Sequence, residues 1–331
     1  MKKKKHGGEL VFFGLILILV LVMLYSGLQI LESTVLYRGQ DWEPEIKSKT
    51  ITRDGVDYFP RQDITTVLVM GIDKYGPVEK SDMYTNTGAS DMKMVLIFDE
   101  ANEICNILHL NRDTMLDMQV LGIGGRPAGT YFGQLALAHT FGTGLEDSCE
   151  NVRKTVSNFL YGVELDYYVA MHMDAIGILN DAVGGVTVNV TEDFSAVDPT
   201  ITLGEVKLMG DHAINYVRTR REVGDQLNIS RIQRQQHYLD GFVDSFRRTV
   251  GEDADLILSA YEQVQPYLVT DCSANAISGM VDRFSGYRIN EVAVPEGRNV
   301  LGEKYYEFYV DEAALDALIL RLFYAPKGNL R

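Results

Sequence analysis

Five arginines lie within one short stretch of this 331-residue chain: Arg218, Arg220, Arg221, Arg231 and Arg234. The stretch contains no lysine, and the chain as a whole carries a formal net charge of −15. A guanidinium group stays protonated and presents a rigid fork of donors that matches phosphate or carboxylate oxygens. The cluster therefore predicts a site for a multiply charged anion. The alternative is a solvated helix face whose arginines pair with neighbouring acidic residues.

Two aspartates and a further arginine follow or precede predicted strands: Asp73, Asp91 and Arg112. The strands are three apolar, β-branched runs, at residues 65–70, 92–98 and 103–110. A short turn separates the last two runs, which predicts a hairpin.

Hairpin geometry places the start of one strand beside the end of the next, so we expect Asp91 and Arg112 at one edge of a sheet. Asp73 reaches that edge as well if the first strand is parallel to the third. Carboxylates beside phosphate oxygens are typical ligands of Mg²⁺. The alternative is that both aspartates only form turns after strands.

Apolar residues at helical spacing predict helices over residues 147–161, 174–183, 211–217, 230–250 and 312–323. Together with the strands they predict an α/β fold, a mixed central β-sheet flanked by helices. Arg231 and Gln235 are four residues apart at the start of one helix, so they project together. Backbone N–H groups at that end also favour an anion.

The N-terminal region is typical of a membrane anchor. Four lysines precede an apolar run from residue 10 to residue 25, which Ser26 and Gly27 interrupt only briefly before Leu28, Ile30 and Leu31. The whole segment is long enough to cross a bilayer. We predict a cytoplasmic basic tail (1–8), one transmembrane helix (9–31), a stalk or linker with an early irregular strand as the alternative (32–62), and a single extracellular domain (63–331).

Other chemistries find little support in the sequence. The six histidines show no zinc-site spacing, and the acidic composition argues against nucleic-acid binding. The glycine-rich segment 122–133 lacks the lysine and serine of a phosphate-binding loop, and we interpret it as a mobile rim.

These segments together resemble the LytR-CpsA-Psr family of bacterial cell-wall glycopolymer ligases, from about residue 65 to the end of the chain. The resemblance rests on six short motifs, of which the last is the most specific in order and spacing. They are residues 71–73 (GID), 90–91 (SD), 111–114 (NRDT), 184–186 (GGV), 216–220 (YVRTR) and 230–236 (SRIQRQQ).

The resemblance implies a membrane-anchored transferase of cell-wall biogenesis, acting on polymers such as teichoic acid or capsule. It would move a polymer from a polyprenyl pyrophosphate lipid onto a peptidoglycan hydroxyl as a phosphodiester, with membrane lipid as a further partner. It also implies that Asp73 and Asp91 hold Mg²⁺ on the pyrophosphate. The residues implied to bind the pyrophosphate oxygens are Arg112, Arg218, Arg220, Arg231 and Gln235.

Three positions depart from the family pattern. Ala89 and Gln134 stand where the family usually has an arginine and a lysine, and Asn228 stands where it usually has an aspartate. The alternative is therefore that this chain binds or hydrolyses polyprenyl pyrophosphate without transferring the polymer. Asp91 and Asp113 both stay open as the general base.

Overall fold

The computed structural model describes residues 50–219, 221–225, 228–250, 260, 262–273, 276, 279–280, 283–284 and 287–326. The predicted tail, the anchor, most of the stalk and Arg220 lie outside the described residues. Within the described part, no helix combines the length and apolar character needed to cross a membrane.

The structure confirms the predicted α/β class, with a mixed central sheet and flanking helices. All three strands predicted from the apolar runs are present, and the second and third pair in antiparallel fashion. The largest sheet has six strands, in the order β11 (Leu268–Thr270), β8 (Tyr167–His172), β3 (Ile64–Ile72), β4 (Ser90–Asp99), β5 (Ile104–Leu110) and β12 (Arg288–Ala293).

The chain divides into two compact units. Among the described residues, the first unit comprises Gly71–Val78 and Met171–Ile289, and the second comprises residues 50–70, Glu79–Ala170 and 290–326.

Three helices and a hairpin make up much of the first unit: α2 (Met173–Ala182), α3 (Asp211–Arg218), α4 (Asn228–Val250), and β9 (Val186–Val190) paired with β10 (Gly204–Leu208). Helix α4 begins two residues before the predicted start at residue 230, and its residues Ile232, Phe242 and Phe246 are buried. A Cβ atom on Gly241 would lie 2.4 Å from the Thr187 oxygen, so glycine is what allows α4 to lie so close to β9.

The second unit contains helix α1 (Glu146–Phe159) and the helix α5 (Glu312–Phe323). Asp311 caps α5, because its side chain accepts hydrogen bonds from the first-turn N–H groups of Ala313 and Ala314. Smaller sheets complete the unit: β1 (Ile51–Arg53), β2 (Val56–Pro60) and β15 (Tyr324–Pro326) in one, and β13 (Gly297–Leu301) with β14 (Tyr306–Val310) in another. The early-strand alternative therefore holds for residues 51–60.

One prediction about this unit is wrong. The glycine-rich segment that we interpreted as a rim loop contains a strand, β7 (Pro127–Gln134), which pairs with β6 (Met115–Leu121). Strand β7 is almost entirely exposed, so it lacks the apolar pattern that reveals a strand in sequence. Its hydrogen bonds to β6, rather than a buried face, define it.

Candidate functional site

The second unit brings Asp91 and Arg112 together. The hairpin register sets Lys93 opposite Leu110. Asp91 and Arg112 each lie two residues further toward the same end of the two strands, so they lie opposite each other. Arg112 Nη2 is 3.1 Å from Asp91 Oδ1, and the two side chains are only 17% and 12% exposed. This enclosed ion pair agrees with the expectation from the hairpin.

A second carboxylate, Asp113, lies next to this pair. Its Oδ1 atom is 4.0 Å from Arg112 Nε and accepts a 2.9 Å hydrogen bond from Gln134 Nε2. Gln134 Nε2 also donates to the Tyr306 carbonyl oxygen at 2.8 Å. Asp113 is almost completely buried. At the position where the family usually has a lysine, a neutral amide thus holds this carboxylate.

Lys93 supports the strand end that carries Asp91. Its side chain is fully buried, and its ammonium donates to the carbonyl oxygen of Ser90 and to Ser90 Oγ, the latter at 3.1 Å. These contacts fix the backbone immediately before Asp91. Lys93 therefore helps to position Asp91 through its hydrogen bonds to Ser90.

The first unit brings Asp73 and Arg218 together. Asp73 follows β3, and Arg218 is the last residue of α3. Arg218 Nε donates to Asp73 Oδ1 at 2.9 Å, with 43% of the arginine side chain and 31% of the aspartate side chain exposed. The guanidinium also lies over the Tyr75 ring, 5.7 Å from its centroid. Sequence reasoning missed Tyr75, which no motif marks.

The remaining arginines of the cluster divide by burial. Arg221 is exposed, whereas Arg231 and Arg234 are 3% and 4% exposed. Arg231 Nη2 donates to Asn228 Oδ1, within the first turn of α4. Gln235 Nε2 donates to the Val217 carbonyl oxygen at 3.1 Å, next to Arg218.

Arg234 has a different role from Arg218. Its guanidinium donates to Glu192 and to the Thr219 carbonyl oxygen, and it lies 5.6 Å from the centroid of the Phe194 ring. Phe194 in turn stacks on Tyr216. Arg234 therefore joins α4 to the end of α3 inside the first unit.

The predicted site residues thus form two groups. Asp73, Arg218, Arg231 and Gln235 belong to the first unit, and Asp91 and Arg112 belong to the second. Among the residues that the structure describes, no cluster of three or more His, Cys, Asp or Glu side chains is arranged for a metal ion. A magnesium site shared by Asp73 and Asp91 stays a prediction.

A match to a protein-family model shows which family the chain belongs to. The model of the LytR_cpsA_psr family matches residues 33–322, which is most of the chain. The chain belongs to the LytR_cpsA_psr family. This confirms the resemblance drawn from the six motifs.

Individual members of the LytR_cpsA_psr family are distant relatives. The chain is 26% identical over 234 residues to the polyisoprenyl-teichoic acid–peptidoglycan teichoic acid transferase TagU of Enterococcus faecalis, across 70% of this chain and 69% of that protein. It is 29% identical over 216 residues to the transferase of the same name from Halalkalibacterium halodurans, across 64% of each chain.

Solved structures support the fold. Bacillus subtilis TagV superposes with a TM-score of 0.58 at 23% identity, covering 79% of this chain and 96% of TagV. A Streptococcus agalactiae protein superposes with a TM-score of 0.63 at 21% identity, covering 78% and 86% of the two chains. Both likenesses agree with a mixed α/β architecture.

Proposed function

We propose that this protein is a membrane-anchored transferase that moves a glycopolymer from polyprenyl pyrophosphate to a peptidoglycan hydroxyl, leaving a phosphodiester. The carrying observation is the LytR_cpsA_psr match over residues 33–322, within which two aspartate–arginine pairs occupy motif positions. The transferases named TagU among its relatives point to the same class of reaction.

In this proposal the arginines bind the pyrophosphate. Phosphoryl transfer depends mainly on positioning and on neutralising charge that develops on the phosphate oxygens. Arg218 is already oriented by Asp73 and Tyr75, and 43% of its side chain reaches solvent. Arg112 is oriented by Asp91. Arg220, Arg231 and Gln235 are proposed to contact the remaining oxygens.

Magnesium fits the donor type of Asp73 and Asp91. Mg²⁺ uses one or two protein carboxylates and completes its octahedron with water and phosphate oxygens, so the absence of a larger acidic cluster among the described residues is compatible with it. When bound, the ion would neutralise phosphate charge. Each aspartate would then serve both the ion and its arginine.

The deciding experiment uses the purified full-length protein in detergent. It is incubated with a labelled glycan on polyprenyl pyrophosphate, with peptidoglycan, and with Mg²⁺ or a chelator. We expect labelled peptidoglycan whose linkage is a phosphodiester, and we expect the product to disappear with the chelator. Release of the glycan into solution as the sole product, or no turnover at all, would contradict the proposal.

A binding or hydrolytic role is the second candidate, and one observation favours it. Asp113 receives a hydrogen bond from the neutral side chain of Gln134, where the family usually has a lysine. With Ala89 at the position where the family usually has an arginine, the site therefore has two cations fewer than the family pattern provides. In the same experiment, retention of the lipid without transfer would identify a binder, and glycan release would identify a hydrolase.

A further inference from the structure

The loop after strand β3 places an exposed tyrosine beside Arg218. Tyr75 lies two residues after Asp73 and is 54% exposed. The Arg218 guanidinium lies over its ring, 5.7 Å from the centroid. An exposed tyrosine on a loop is ordinary by itself. The loop around Tyr75 (residues 74–78) is unusual because hydrogen bonds hold it on both sides of the tyrosine.

Backbone hydrogen bonds attach the loop at three points. The N–H of Lys74 donates to the Ile72 carbonyl oxygen at 2.7 Å, and the Lys74 carbonyl oxygen accepts from the Met173 N–H at 2.9 Å. The Val78 N–H donates to the Pro266 carbonyl oxygen at 2.8 Å. These bonds attach the loop to the end of β3, to the start of α2 and to the segment before β11.

Two side chains hold the turn at Gly76, next to Tyr75. The Gly76 N–H donates to Asp174 Oδ2 at 2.8 Å, in the first turn of α2. The Gly76 carbonyl oxygen lies 2.8 Å from His172 Nδ1. A carbonyl oxygen only accepts, so Nδ1 of His172 carries a proton and donates. Both backbone polar groups of Gly76 are therefore bound at the junction of β8 and α2.

The turn itself favours glycine at position 76. The φ angle of Gly76 is +80°, in the left-handed region that glycine adopts readily and other residues only at a cost. A Cβ atom at this position would meet nothing within 4 Å. Replacing Gly76 would therefore strain the backbone of the loop without creating a steric clash.

A tyrosine ring orients an arginine differently from a carboxylate. The face of an aromatic ring attracts a guanidinium through its quadrupole and carries no net charge. Asp73 also orients Arg218, by a 2.9 Å hydrogen bond, but its negative charge offsets the positive charge that attracts an anion. The ring of Tyr75 therefore restricts the arginine and leaves its charge available to phosphate oxygens.

Restricting Arg218 bears directly on affinity. Arg218 is the last residue of α3, and its side chain is 43% exposed. A long side chain that is free to rotate loses entropy when it binds a ligand, and holding it beforehand removes part of that cost. The ring can hold the arginine in this way only if the loop that carries the ring is itself fixed.

We propose that Tyr75 is a positioning residue for Arg218, and that His172 and Asp174 support it by binding Gly76. This role depends on the proposed function, in which Arg218 binds the pyrophosphate. Because Tyr75 acts through Arg218, it should strengthen the binding of any pyrophosphate, with or without a lipid chain.

The test is binding of two probes, inorganic pyrophosphate and geranyl pyrophosphate, to the full-length protein in detergent, by calorimetry. We expect Tyr75→Ala to bind both probes about fivefold more weakly, because the contact with the guanidinium is lost. Tyr75→Phe should bind like the unchanged protein, since phenylalanine keeps the ring face. In the Arg218→Ala background, Tyr75→Ala should cause no further loss.

The support of the loop is tested at Gly76. Gly76→Ala strains the turn and is expected to weaken the binding of both probes by about two- to fivefold. Gly55→Ala is the matched control, because Gly55 has a φ angle of +76° and a Cβ atom there also meets nothing within 4 Å. Gly55 lies between β1 and β2, and its variant should bind like the unchanged protein. Thermal melting of each variant shows whether the fold is intact.

Several results would overturn the positioning role. Unchanged affinity in Tyr75→Ala, or an equal loss in Tyr75→Phe, would show that the ring face is not the cause. A loss confined to geranyl pyrophosphate would show that Tyr75 contacts the lipid chain directly. A further loss in the Arg218→Ala background would show that Tyr75 does not act through Arg218. Unchanged affinity in Gly76→Ala would remove the supporting role of His172 and Asp174.

Binding and transfer are measured separately, so that the two proposals can fail separately. Weaker pyrophosphate binding in Tyr75→Ala, in a protein that transfers no polymer, would leave the positioning role standing and remove the transferase proposal. Transfer by the unchanged protein, with the same KM for the lipid-linked polymer in Tyr75→Ala, would do the reverse. Failure of the unchanged protein to bind either probe would overturn both.

Discussion

The two aspartate–arginine pairs have the same chemistry and different surroundings. Asp91 and Arg112 are enclosed, with side chains 12% and 17% exposed, while Asp73 and Arg218 are open, at 31% and 43%. An exposed ion pair contributes about 0–1 kcal/mol to folding, whereas removing one partner of a buried pair costs about 3–5 kcal/mol. The enclosed pair therefore ties the site to folding, and the open pair is available for a ligand at little cost in stability.

The largest expected effect comes from breaking the enclosed pair. Arg112→Ala leaves the Asp91 carboxylate without its guanidinium, and we expect the free energy of unfolding to fall by about 4 kcal/mol. Urea unfolding measures this change. Arg126→Ala, at an exposed arginine of the same unit, is the matched control and should stay within about 0.5 kcal/mol of the unchanged protein. Equal stability of the two variants would contradict the distinction.

A buried arginine in the first unit sharpens the comparison. Arg234→Met keeps much of the packing but removes the partner of Glu192, so we expect a loss of about 3 kcal/mol. Adding Glu192→Met should restore most of that loss, because no buried charge is then left alone. A double variant no more stable than Arg234→Met would show that the ion pair is not the cause.

Breaking the open pair is expected to change stability far less. Arg218→Ala should lower the free energy of unfolding by less than about 1 kcal/mol, because both side chains of the pair are partly solvated and the Asp73 carboxylate left behind stays in contact with water. The same urea titration checks this value against Arg221→Ala, the exposed neighbour. A loss comparable to that of Arg112→Ala would place Arg218 among the structural arginines.

The smallest change in stability is expected at Gln134. Gln134→Lys restores the usual cation beside Asp113 and should alter the free energy of unfolding by only a few tenths of a kcal/mol. Its effect should appear in the transfer reaction, as a several-fold higher rate if the missing cation limits phosphate binding. An unchanged rate would show that the amide serves equally well.

Local geometry explains which parts of the site the sequence could predict. Asp91 and Arg112 lie in contact because a short turn fixes the register of β4 against β5. Both the turn and the strands could be predicted from the sequence. The helix predicted over residues 312–323 is equally local, because Asp311 caps its first turn. Such features depend on residues close in sequence.

Features that depend on distant residues escaped prediction. Arg234 pairs with Glu192, which is 42 residues away, so its burial could not be distinguished from the exposure of Arg218 in the same arginine-rich segment. Strand β7 has no buried face to produce an alternating pattern.

The central claim is that Arg218 binds the pyrophosphate of the lipid substrate in addition to forming an ion pair with Asp73. Its most direct test is the affinity of full-length Arg218→Ala, in detergent, for a short-chain polyprenyl pyrophosphate, compared with Arg221→Ala. We predict binding at least about tenfold weaker in Arg218→Ala, with Arg221→Ala unaffected. Wild-type affinity in the correctly folded Arg218→Ala protein would contradict the claim.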